Sequence, residues 1–84
     1  MVRVIATKQH KALVALLRCE RLAAKPKKLR QADVAKRLGE KQQWVAQIES
    51  GQRRISVVEF LALAKAIGFD PAKAIKKLSR VKNS

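Results

Sequence analysis

One cysteine and one histidine leave this 84-residue chain little covalent or metal chemistry. Cys19 has no partner for a disulfide framework, and its helical neighbours Leu16 and Leu17 mark it as a semi-buried structural thiol. His10 has neither a second histidine nor a cysteine pair at ligand spacing, so no metal and no cofactor are expected. Acids are scarce too, six against twenty Lys plus Arg. With no paired acids, no second His and no glycine loop to cradle phosphate, the roles of nucleophile, base and metal ligand go unfilled, and the chain is not expected to be an enzyme. Aromatics are limited to Trp44, Phe60 and Phe69. The core must therefore be built from Leu, Ile, Val and Ala, which favours helices. No apolar stretch approaches the roughly 20 residues that span a bilayer. The apolar run after Met1 is too short for a secretory signal, so the expected location is the cytoplasm.

What is present is positive charge. A formal net charge of +14 attracts polyanions, with nucleic acid first and an anionic membrane surface as the other physical possibility. The length suits one domain. Residues 1–6, MVRVIA, read as an arm or a short strand. Thr7 caps a first helix carrying Leu13, Leu16 and Leu17 and running to about Ala24. KPKKLR (25–30) ends it in an exposed basic loop. A two-turn helix follows from Gln31 to Leu38, with Gly39 suited to a left-handed C-terminal position. Gln42 to Glu49 form the next helix, closed by Ser50 and Gly51. Ser56 and Glu59 have capping-box spacing, and Phe60, Leu61, Ala64 and Ile67 line one face of the helix they open. Asp70 and Pro71 start a fifth helix with Ala74, Ile75 and Leu78. The domain thus spans 7–78, and 79–84 is a basic, fraying tail.

The spacing Gln31, Ala35, Gly39, Val45, Ile48 fits two short helices that cross steeply, with a small residue at the contact and a glycine in the turn. Such a unit is a helix-turn-helix. On a wheel of about 100° per residue from Gln42, Ala46, Gln43 and Gln47 fall at about 40°, 100° and 140°, and Trp44, Ile48 and Val45 at about 200°, 240° and 300°. One face is apolar. The other presents three carboxamides around the small Ala46, and a carboxamide can pair bidentately with an adenine edge.

Through QADVAKRLGEKQQWVAQIESGQRR and the following ISVVEFLALAKAIGFDP, the chain resembles the lambda-repressor-like, or Cro/Xre-type, helix-turn-helix regulators over roughly residues 10 to 78. The resemblance implies an all-α, compact five-helix domain with the helix-turn-helix at helices 2 and 3. It puts base reading at Gln42, Gln43 and Gln47, and phosphate contact at Gln31. Lys41 stands where the family usually has Ser or Thr as the cap, and is read as a phosphate contact. Arg53 and Arg54 are further phosphate candidates, as are Lys36 and Arg37 if they face the duplex. The family pairs a glutamate at the Glu49 position with a helix-one arginine, here Arg21 or Arg18. KPKKLR adds about three residues to the usual connection. Trp44, where a small polar residue is commoner, has two readings: packing that extends the core, or contact with a thymine methyl or sugar.

The expected function is sequence-specific double-stranded DNA binding by a homodimer on an inverted repeat, regulating transcription, with repression foremost. Apolar residues near the ends, Val2, Val4 and Ile5 or Ile75, Leu78 and Val81, would form the dimer. The alternative is an antitoxin or bridging module that chiefly binds a protein partner. Structured-RNA binding has support from charge but not from stacking chemistry.

Overall fold

A computed structural model describes residues 7–82. The arm or strand expected over residues 1–6 lies outside them, as do residues 83 and 84. Five helices follow in order: α1 (Lys8–Leu22), α2 (Gln31–Leu38), α3 (Gln42–Glu49), α4 (Val57–Ile67) and α5 (Pro71–Ser79). The described residues form no strand. α2 packs on α3 and α4, α1 on α3 and α5, and α4 on α5.

Local chemistry sets the helix boundaries. The Thr7 hydroxyl accepts the His10 amide at 3.1 Å and the Asp70 carboxylate accepts the Ala72 amide at 2.9 Å. At Ser56 the box closes both ways: its hydroxyl accepts the Glu59 amide at 3.1 Å, and Glu59 accepts the Ser56 amide at 2.9 Å. Gly39 ends α2 at φ 69, which lets the Glu40 amide turn back onto the Ala35 carbonyl at 2.9 Å. Few L-residues adopt that backbone conformation without strain.

Leu17, Val34, Val45, Ile48 and Leu63 are the largest fully buried side chains. Phe60 and Phe69 meet edge to face, with centroids 5.9 Å apart. Several expectations are corrected here. Leu61 is 47% exposed and Leu63 takes its place in the core, because at about 100° per residue Phe60, Leu63, Ala64 and Ile67 share an arc of about 100° and Leu61 lies about 60° beyond its edge. Cys19 is exposed rather than semi-buried. α1 stops at Leu22, two residues early, and α5 runs to Ser79, into the expected tail. The 25–30 loop is basic and exposed except at Leu29, which is only 6% exposed and joins the core. One leucine among cations gains more from burial than from solvent, and the Leu29 amide donates to the Arg21 carbonyl at 3.0 Å.

Candidate nucleic-acid interface

α3 has an inner and an outer side. Inside, Val45 and Ile48 are buried against α2 and α1. Ala35 on α2 is only 3% exposed and joins the same core, so a larger side chain there would displace its neighbours. Outside, Gln42, Gln43 and Gln47 are exposed, with Ala46 half-buried between them.

The end of α3 is fastened by charge. Arg21 reaches Glu49 through both carboxylate oxygens, Nε to Oε2 at 2.6 Å and Nη2 to Oε1 at 2.8 Å, and its Nη1 donates to the Leu29 carbonyl at 2.8 Å. The Gln31 amide donates to Glu49 Oε1 at 3.1 Å. The pair is almost dry, with side chains 10% and 8% exposed. A buried pair needs such added hydrogen bonds to offset its desolvation. Arg21, rather than Arg18, is the partner. Its guanidinium joins α1 to the 25–30 loop and to α3, and Gln31 adds α2 at the same carboxylate, so the loop is tied to the helix-turn-helix. Gln31 shares in this network and keeps a second amide hydrogen for another acceptor.

Two shallow grooves flank the glutamines. One is lined by Gly39, Glu40, Lys41, Gln43, Trp44 and Gln47, the other by Arg18, Arg21, Gln31, Ala46, Glu49 and Ser50. Lys41 precedes α3 without a side-chain cap, so its ammonium adds positive charge beside the helix start. Arg18, expected only as an alternative partner for Glu49, is instead an exposed cation of the second groove. Its place three residues before Arg21 on α1 was the available signal, since residues at that spacing share a helix side.

The other basic candidates separate. Arg37 donates to the Ala66 carbonyl at 2.6 Å, locking α2 to the end of α4. Arg53 pairs with Glu59 at 2.7 Å and lies 5.5 Å from the Trp44 ring centre. Both guanidiniums thus make contacts within the fold. Arg54 lines a different groove with His10, Leu13, Ile55, Ile75 and Leu78, between α1 and α5. Lys36 is exposed on α2. Trp44 is half-buried and packs against the core.

Acids near this surface are mostly neutralised by cations. The Arg30 side chain, then the Arg30 amide, pull Asp33 down to about 2. The Ser56 amide and then Arg53 hold Glu59 below its ordinary value. Glu40, in the first groove, is exposed. No group of three His, Cys, Asp or Glu among the described residues could hold a metal ion, and no described helix is long and apolar enough to cross a membrane.

Two short helices crossing through a left-handed glycine, the second with a buried inner side and an exposed polar outer side, define a helix-turn-helix protein. Comparison with known proteins agrees. The family model for the helix-turn-helix domain matches residues 12–74. An XRE-family like protein from Pseudomonas syringae pv. tomato is 37% identical, with a TM-score of 0.77 over 84% of this chain and 83% of that one. The restriction-modification controller protein C.AhdI from Aeromonas hydrophila is 33% identical, with a TM-score of 0.62 over 79% of this chain and 96% of that one. No curated protein sequence matches. The chain belongs to the Cro/Xre-type helix-turn-helix family of DNA-binding transcriptional regulators.

Proposed function

We propose that this protein is a cytoplasmic, sequence-specific repressor that binds double-stranded DNA as a homodimer on an inverted repeat. It has no catalytic role and uses no cofactor. The observation that carries this reading is the exposed trio Gln42, Gln43 and Gln47 on the outer side of a helix whose inner side is buried and whose end is ion-paired. A helix held that firmly presents its carboxamides to a major groove at a fixed angle. Ala46 between them allows close approach. Gln31 and Lys41 take phosphate oxygens on either side, with the exposed Arg18, Lys36 and Arg54 as further phosphate candidates. Ala35, Gly39, Val45, Ile48, Glu49 and Arg21 set the angle of presentation.

Dimer contacts come from apolar surface outside the helix-turn-helix. Ile75 is 49% exposed on α5, near half-buried Leu78 and Val81; Val2, Val4 and Ile5 lie outside the described residues. Half-sites should then repeat about 34 Å apart, one turn of the duplex.

Selection from a random duplex library tests the reading. A pool enriched in an inverted repeat at that spacing is expected. A pool that fails to enrich overturns it.

A further inference from the structure

We infer that Trp44 is a specificity-determining residue of this interface, its ring forming the apolar wall that meets the 5-methyl group of a thymine beside the base edge held by Gln43 or Gln47. The inference rests on the DNA reading above.

The indole is half-buried and packs against the core, while its remaining surface lines a groove of about 530 Å³ with Lys41, Gln43 and Gln47. Trp44 stands three residues before Gln47 and Gln43 four before it, spacings that bring side chains together on a helix surface. The ring is also clamped from outside α3. The Arg53 guanidinium lies 5.5 Å from the ring centre and is itself tied to Glu59 at 2.7 Å. The other Glu59 oxygen accepts the Ser56 amide at 2.9 Å. The indole is thus braced by the first turn of α4.

Among the base-edge groups exposed in the major groove, the thymine methyl is the apolar one. A ring already fixed by packing loses little freedom when it meets that methyl. It also stands beside two carboxamides that can fix the neighbouring base edge. Arg53 then acts as a positioning residue, through Trp44. A sugar or phosphate contact by the indole would, by contrast, carry no sequence information.

The test uses the whole chain and the duplex it enriches from a random library. Each thymine is replaced in turn by deoxyuridine, which removes only the methyl. One position per half-site is expected to lose about fourfold in affinity, the worth of one buried methyl group. Trp44→Ala should abolish that sensitivity and Gln43→Ala should keep it. Arg53→Gln should reduce it without changing the salt slope of binding. Because the deoxyuridine scan on the unaltered protein needs no folded variant, it stands even if Trp44→Ala unfolds; Trp44→Leu, checked by circular dichroism, is the second variant. The inference is overturned if no thymine is sensitive, if the Trp44 variants retain the sensitivity, or if they weaken all duplexes alike. Enriched duplexes indifferent to deoxyuridine remove Trp44 alone, whereas a pool that never enriches removes the DNA reading and this inference with it.

Discussion

The first turns of α3 and α4 follow residues in the same extended conformation, Lys41 at φ -80, ψ 148 and Ser56 at φ -75, ψ 162. Their amides are treated differently. Ser56 and Glu59 close the start of α4 from within, with Arg53 on the outer carboxylate oxygen. α3 has no side-chain cap and a cation at that position; it is secured instead at its far end, where Glu49 receives Arg21 and Gln31. A helix start without a cap keeps backbone donors and partial positive charge for an external anion. α3 is thus fastened at its end and open at its start.

The largest expected effect tests that fastening. Arg21→Met leaves Glu49 buried without its cation and should cost about 3–5 kcal/mol, read as a lower urea midpoint. An unchanged midpoint would mean that α3 is held by apolar packing alone. Next, Gln43→Ala should cost about 1–3 kcal/mol of discrimination between selected and random duplexes with no change in thermal midpoint. Equal losses on both DNAs would show that Gln43 reads no base.

Ser56→Ala should destabilise by about 1 kcal/mol, against no comparable cap to lose at Lys41. The same box predicts a pH dependence. Glu59 is held below its ordinary value of 4.5 by the Ser56 amide and Arg53. Its contribution is therefore fully present above 4.5 and is lost as pH falls through the lower folded value. Asp33 behaves likewise, its share present above 3.8 and lost as pH falls toward about 2. Urea midpoints of Glu59→Gln and the parent should converge in acid; a constant gap would break the assignment. The smallest effect is at Lys41. Lys41→Ser supplies the missing cap and should stabilise by about 0.5 kcal/mol, while lowering the salt slope of binding by about one phosphate contact. A slope that does not move takes Lys41 off the DNA.

Much of the fold was legible because the signals are local. Ser56 and Glu59 are three residues apart, Asp70 and Pro71 adjacent, and Gly39 follows the last apolar residue of α2; each works within one helical turn. Alternation around α3 separated Val45 and Ile48 from the glutamines for the same reason. Leu61 was misjudged because a helix this rich in apolar residues offers more than one plausible stripe, and only the packed neighbours select Leu63. The internal partners of Arg37 and Arg53 were not legible, because an arginine's contact depends on what lies near the end of a long side chain. Ala66 is 29 residues from Arg37, while Arg53 engages Trp44 from the far side of the α3–α4 turn.

By itself the sequence determined the five helices, the helix-turn-helix spacing and the two-sided character of α3, because caps, turns and helical periodicity act over a few residues. Tertiary structure decided which arginine holds Glu49, that Leu29 enters the core, and that Trp44 is both packed and braced beside the glutamines. These depend on distances between segments remote along the chain, which only their packing sets.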